Sequence, residues 1–210
     1  ECRLVGSEMC IRDSIRGLEK DIDKKLWQKR KVFALLSREI NDLHGKTLGI
    51  IGKGSIGMKV GRIAKAFGMN INYFSVRNYK KTQFLKFLSS LDYLSIHCPL
   101  NEKTKDLITI KELKIMKKNM ILINTARGGI VNENDLTKAL KQKIIAGAGI
   151  DVTTSEPPKK SHAYYSILNE ANFIWTPHTA WASNETLQEA INQLIKNINS
   201  FYKGRKRNLV

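Results

Sequence analysis

The chain has 210 residues, 36 Lys+Arg against 19 Asp+Glu and a formal net charge of +17. Its 42% apolar content is enough for a buried core and excludes a disordered polybasic tail. No run reaches the ~18 to 20 apolar residues that a membrane span needs, and the cysteines Cys2, Cys10 and Cys98 are too few and too scattered for a disulfide framework or a zinc cluster.

Residues 1–14 match neither a helical nor a strand period and lack the apolar run of a signal peptide, so they are read as an unassigned leader. Residues 15–43 are strongly charged with intermittent apolar positions, the pattern of a long helix or of one broken near Trp27. Six short apolar runs follow: Thr47–Ile51, Ile71–Phe74, Asp92–Ile96, Met120–Asn124, Ile145–Asp151 and Asn172–Thr176. Most lack polar alternation, as strands buried on both faces of a parallel sheet do. Helix-period stretches separate them. The one after the first strand sets Ile56, Val60, Ile63, Ala64 and Phe67 on one face; the last sets Leu187, Ile191, Leu194, Ile195, Ile198 and Phe201 on another. Repeated strand–helix units specify an α/β fold with a doubly wound, mostly parallel sheet of the Rossmann type.

The first strand runs directly into Gly52-Lys53-Gly54-Ser55-Ile56-Gly57, which opens a helix. In that strand–turn–helix setting the glycine spacing points to a dinucleotide. Gly52 permits the tight turn, Gly54 lets backbone approach a pyrophosphate, and Gly57 lets helix and strand pack closely. Such a domain usually places an acid after the second strand to grip the adenosine ribose. Here Ser75 stands at that place, no Asp or Glu occurs between Gly57 and Asp92, and Arg77, Lys80 and Lys81 follow. Cations without an acid favour a 2′-phosphate, so both NAD and NADP are candidates.

Three later strands end in polar residues: the fourth in Asn124-Thr125-Ala126-Arg127, the fifth in Asp151 ahead of Glu156, the sixth in Thr176-Pro177-His178. Ligands of open α/β sheets bind beyond the carboxyl ends of the strands, which draws Arg127, Glu156 and His178 toward the edge that holds the glycine turn. The Arg127 fork can hold a carboxylate, His178 can exchange a proton with a substrate oxygen, and Glu156 can support an imidazolium. Asp151 can accept from a nicotinamide carboxamide. His97 and Cys98, which end the third strand, line the cofactor cleft in this reading, since a Cys–His nucleophile pair lacks an orienting third group. His44 and His162 read as surface or loop residues without metal-ligand spacing, and no metal is expected.

The stretches His44–Gly52, His97–Asn101, Asn124–Val131, Gly149–Val152 and Pro177–Ala180 together resemble the D-isomer-specific 2-hydroxyacid dehydrogenases. The resemblance covers roughly residues 43–204. It implies Arg127, Glu156 and His178 as catalytic residues. It also implies nucleotide contacts at Ser55, Ile56, Pro99, Thr104, Thr125, Ala126, Asp151 and His178, to which Gly52, Gly54, Gly57, Ser75, Arg77, Cys98, Arg127 and Ala180 are added. Ala180-Trp181 departs from the two glycines of many members and is most similar to the glycerate dehydrogenase (hydroxypyruvate reductase) branch. Trp181 then either walls the substrate pocket or packs on the last helix. Members build a second, substrate-binding domain mostly from chain preceding the crossing helix, so the resemblance implies a piece truncated at its front.

The expected organisation is a leader over 1–14, a crossing-helix region over 15–43 that offers a homodimer surface, a dinucleotide-binding domain over 44–204 and a basic tail over 205–210. The expected activity is hydride transfer between NAD or NADP and C2 of a short 2-keto or D-2-hydroxy acid. A nucleotide-sensing, co-repressor-like binding protein and an inactive fragment of the same fold are the alternatives. The 26 Lys and ten Arg are spread along the chain with no stripe, zinc-finger spacing or aromatic RNA-binding signature, so they read as solvated surface and not as a nucleic-acid site. The chain reads as soluble and cytoplasmic, without a membrane partner.

Overall fold

In a computed structural model, which describes residues 15–37, 41–170 and 172–208, six strands form one parallel sheet. They are β1 (Thr47–Ile51), β2 (Asn70–Phe74), β3 (Tyr93–Ile96), β4 (Ile121–Asn124), β5 (Gly147–Ile150) and β6 (Phe173–Trp175), in the order β2-β1-β3-β4-β5-β6. Seven α-helices are described: α1 (Ile15–Asp23), α2 (Leu26–Arg30), α3 (Ser55–Ala66), α4 (Lys81–Ser90), α5 (Ile110–Leu113), α6 (Glu133–Lys141) and α7 (Asn184–Tyr202). The chain forms two compact units that divide between Pro177 and His178, with the whole sheet in the first. The leader expected over residues 1–14 lies outside the described residues. No helix among the described residues is long and apolar enough to cross a membrane.

The central apolar runs, β1, β3 and β4, become strands because each feeds two cores. Leu48, Ile50, Tyr93, Ile121 and Ile123 pack with Val60 and Ala64 of α3 on one face. Their alternates Ile51, Leu94, Ile96 and Leu122 pack with Phe84 and Leu88 of α4 and Leu136 and Leu140 of α6 on the other. Each such fully buried side chain contributes about 1.5–3 kcal/mol relative to exposure.

The strand order reverses direction once, between β1 and β3: the chain leaves β1 for β2 on one side and returns to β3 on the other. Crossover connections then diverge from the carboxyl ends of β1 and β3, and the crevice they leave is where doubly wound sheets bind ligands. The Gly52 turn and His97 stand at its two lips.

Two local expectations change. The buried stripe of α3 is Gly57, Val60, Gly61 and Ala64, while Ile56 and Phe67 are 60% and 44% exposed. The two glycines turn the helix, because a Cβ at Gly57 would overlap the Gly52 carbonyl oxygen and one at Gly61 the Tyr73 hydroxyl. Close approach of backbone outweighs the larger apolar residues one position away. In residues 15–37 the helix breaks at Lys24-Lys25, with Lys25 at φ 56°, and ends at Arg30. Beyond it the Trp27 indole donates to the Val32 carbonyl at 2.8 Å. The segment is tied down by Lys20 Nζ on the Asn169 carbonyl (2.8 Å) and by Ser37 Oγ on the buried Asp21 (2.7 Å).

In the second unit Ser183 caps α7 by accepting the Thr186 amide at 3.2 Å. The expected stripe from Leu187 to Phe201 forms along α7, and its members are 39% to 81% exposed. The basic tail returns to the same helix through Arg207, which donates to Gln193 at 2.7 Å and to Asn197 at 3.1 Å.

His97, half-buried at the end of β3 and 2.8 Å from Ser95 Oγ, has its pKa pushed down by burial from the usual 6.5 to about 4. The unfolded chain therefore takes up this proton first as the pH falls, so the contribution is full above 6.5 and is lost toward 4. Urea titrations between those limits are expected to show up to about 3 kcal/mol less loss of stability in His97→Gln than in the wild type. Parallel acid curves for the two proteins would contradict this.

Candidate active site

Gly52 leaves β1 at φ 105°, and a Cβ there would stand 2.5 Å from the His97 carbonyl oxygen. Only glycine meets both demands. Gly57 is closed in by the same turn. Gly54 is the opposite case: a Cβ there would meet nothing within 4 Å. It caps α3 in an extended conformation with no side-chain hydrogen bond, so the first-turn amides of Ser55, Ile56 and Gly57 have no acceptor from the helix. Open space over a glycine, donors facing it and the positive end of a twelve-residue helix fit a pyrophosphate.

After β2, Ser75 Oγ accepts the Arg77 amide at 3.4 Å and so caps the short turn Val76–Asn78. Val76 and Arg77 line a cleft of about 510 Å³ with Asn101, Glu102 and Lys103 from the segment after β3. Two cations and one carboxylate therefore border it.

The segment after β3 is braced from within. Thr104 is fully buried, its hydroxyl donating to the Pro99 carbonyl at 2.7 Å and accepting the Asn101 amide at 2.8 Å. It shapes the exposed Pro99–Asn101 turn from behind. The Cys98 side chain is buried in the core, and burial pushes its thiol up to about 11, which removes it as a nucleophile at neutral pH.

At the end of β4 the buried Asn124 spans the next turn: Nδ2 donates to the Arg127 carbonyl at 2.9 Å, and Oδ1 accepts the Ala126 amide at 3.1 Å. That sets Thr125 and Ala126 half-buried and Arg127 exposed, its guanidinium donating to the Ala126 carbonyl at 2.7 Å. Asp151 is buried at the end of β5, where its amide donates to the Asn124 carbonyl at 3.0 Å and its carboxylate accepts the Thr176 hydroxyl. Two residues on, the Thr153 amide donates to Glu156 Oε1 at 3.0 Å. Gly128 joins the two loops, since a Cβ there would overlap the Thr153–Thr154 backbone. The loops of Arg127 and Glu156 thus lie backbone against backbone.

His178 and Ala180 belong to the second unit, where both are half-buried, His178 has φ 52°, and Trp181 is 54% exposed. His44 is exposed, and His162 lies in a loop, as expected, but is enclosed there instead of standing at the surface. Its side chain is 8% exposed, 2.8 Å from Glu133 Oε2 and stacked on Trp175 at 5.4 Å. Sequence reading missed it because Glu133 lies 29 residues away. Asn124 as a brace was missed too, though an amide closing an apolar strand is a usable signal. Among the described residues no group of three or more His, Cys, Asp or Glu could hold a metal ion.

The family model of the D-isomer specific 2-hydroxyacid dehydrogenase NAD binding domain matches residues 10–180. The chain belongs to that family. A glycerate dehydrogenase of Methylorubrum extorquens is 40% identical over 211 aligned positions, covering 99% of this chain and 66% of that protein. A glyoxylate reductase of Thermococcus litoralis is 40% identical over 77% of this chain and 50% of its own length. The crystal structure of D-lactate dehydrogenase with NAD+ from Lactobacillus jensenii superposes with a TM-score of 0.85 at 27% identity, over 99% of this chain and 66% of that one. The chain thus spans between half and about two thirds of the length of these relatives. Membership makes the Gly52–Gly57 turn part of an NAD-binding domain, in accord with the open space at Gly54.

Gly54→Ala is expected to leave urea stability within ~0.5 kcal/mol of the wild type while weakening NADH binding at least tenfold. Gly57→Ala is expected to cost about 1–3 kcal/mol as well as affinity, because overpacking must displace backbone. Equal stability losses in both variants would contradict the assignment of open space to Gly54 alone.

Proposed function

We propose that this chain is the nucleotide-binding part of an oxidoreductase that moves a hydride between NAD or NADP and C2 of a short 2-keto or D-2-hydroxy acid, of the glycerate–hydroxypyruvate or glyoxylate type. The single observation that carries the reading is the joining of the Arg127 and Glu156 loops at Gly128 in a domain that also holds the Gly54 cradle. The names of the relatives, glycerate dehydrogenase and glyoxylate reductase, support the substrate class.

The bound dinucleotide supplies the hydride; orientation and proton movement fall to the protein. Arg127 presents an exposed planar fork to the substrate carboxylate and polarises the neighbouring carbonyl. His178 gives a proton to the nascent alkoxide, Glu156 supports the imidazolium, and Asp151 accepts from the carboxamide. Gly52, Gly54, Ser55, Ile56 and Gly57 hold the diphosphate. Ser75 and Arg77 would hold the adenosine end, with Pro99, Thr104, Thr125, Ala126 and Ala180 as the further contacts proposed for the cofactor. Val32, Phe33 and Leu36, 44%, 98% and 85% exposed, support pairing of two copies through residues 15–37. A cytoplasmic location belongs to the same proposal.

The test is NADH and NADPH oxidation with hydroxypyruvate, glyoxylate and pyruvate, on this chain alone and on this chain joined to the part of the Methylorubrum relative that it does not cover. His178→Ala is expected to lower turnover at least a thousandfold with cofactor affinity unchanged. Persisting hydroxypyruvate reduction in that variant would remove His178 from its role.

Arg77, with no acid at residue 75, is expected to make NADPH bind at least as tightly as NADH. Arg77→Ala should then weaken NADPH roughly ten- to a hundredfold and NADH less than twofold, the loss of one charge-assisted bond. A large NADH preference in the wild type would end this assignment.

A further inference from the structure

Glu133 begins α6, outside the glycine turn and the Arg, Glu and His motifs, and yet its carboxylate collects three donors. Oε1 accepts the Thr154 amide at 2.7 Å, and Oε2 accepts the Thr154 hydroxyl at 2.8 Å and His162 Nε2 at 2.8 Å. The imidazole is itself fixed. Its Nδ1 accepts the Tyr164 amide at 3.3 Å, which leaves the proton on Nε2 and aims it at Glu133. The ring stacks on Trp175 at 5.4 Å and meets Tyr164 edge-on at 4.8 Å. His162 and Glu133 are nearly enclosed, with side chains 8% and 12% exposed, so the contact between them is shielded from water, whereas Thr154 is exposed. The first turn of α6 adds the positive end of a helix, which favours a carboxylate there.

The clamped Thr153–Thr154 peptide is the direct neighbour of the one that donates to Glu156. Thr153 and Thr154 are successive residues whose amides serve two carboxylates: Thr153 holds Glu156 Oε1 at 3.0 Å, and Thr154 holds Glu133. The same peptide is the surface on which Gly128 rests, one residue after Arg127. A shift of Thr154 therefore moves the donor of Glu156 and the support of the Arg127 loop together.

We propose that Glu133, locked by His162, is the positioning residue of Glu156: it fixes the Thr153–Thr154 peptide, which adjoins through the Thr153 Cα the peptide whose N–H holds the Glu156 carboxylate. This rests on the role given to Glu156 under the proposed function, although the coupling itself is a property of the loop. Glu133→Gln replaces one acceptor oxygen by a donor group and sets it against hydrogens already aimed at that place. Thr154→Val removes one donor alone, and Thr154→Ser keeps them all.

The experiment is amide hydrogen exchange of the folded chain, read by NMR, with NADH affinity and turnover measured beside it. In Glu133→Gln the Thr153 amide, which does not touch residue 133, is expected to lose protection at least tenfold along with Thr154, while amides of β1 and β3 keep theirs. Thr154→Val is expected to show the same loss in smaller measure, and Thr154→Ser none. In a catalytically active form, kcat for hydroxypyruvate should fall at least tenfold in Glu133→Gln with NADH affinity and substrate KM within twofold. Loss of protection at Thr154 alone, with Thr153 as in the wild type, overturns the proposal, and so does unchanged kcat in an active form. If Glu133→Gln does not fold, the Thr154→Val and Thr154→Ser pair decides on the same criterion. A wild type that reduces none of the keto acids refutes the proposed function and leaves the exchange result to judge the coupling.

Discussion

The His97 carbonyl stands where a side chain on residue 52 would be, and that contact fixes the rest of the candidate cofactor site. It holds the exit of β1 against the exit of β3 at the point where the sheet changes direction. A residue with a side chain there would force the strands apart or turn the chain elsewhere. With glycine, the turn closes, α3 starts directly above it, and Gly57 brings that helix down onto the Gly52 carbonyl. The first-turn amides are then left facing the open space over Gly54. Anion binding at this end needs no charged side chain, because unpaired backbone donors and the helix dipole supply the field.

The same device recurs at the other ligand-facing loops. Gly128 brings the Arg127 loop onto the Thr153–Thr154 peptide, as Gly52 brings β1 onto β3. Side-chain amides and hydroxyls then set the turns: Asn124 spans residues 126 and 127, and Thr104 spans 99 and 101. Glycine supplies close approach, and buried polar side chains supply direction. Arg127 and Glu156 are exposed, and the loops that carry them are held from their backbone side.

Much of this was legible in the sequence. Six apolar runs, most of them without alternation, marked the strands of a parallel sheet, and all six appear within about two residues of their expected ends, β2 with Asn70 and Asn72 exposed. The glycine spacing after the first of them marked the turn that closes against His97 and leaves open space at Gly54. What the sequence hid were effects of distance and size. The face of α3 was misplaced by one position because periodicity weighs Ile56 and Phe67, whereas packing was decided by Gly57 and Gly61, which carry no apolar signal. His162 is the loop residue its sequence suggested, but its enclosure was hidden because its partners, Glu133 and Trp175, are supplied by remote strand–helix units. The break at Lys24-Lys25 was foreseen only approximately, since a left-handed lysine leaves no mark in composition.

The most direct measurement is a titration of the isotopically labelled chain with NADH, followed by the backbone amide resonances. The account predicts that Gly54, Ser55 and Ile56 shift most and saturate together, with His97 and Cys98 following at the opposite lip. Saturable shifts elsewhere while those three amides stay still would contradict it.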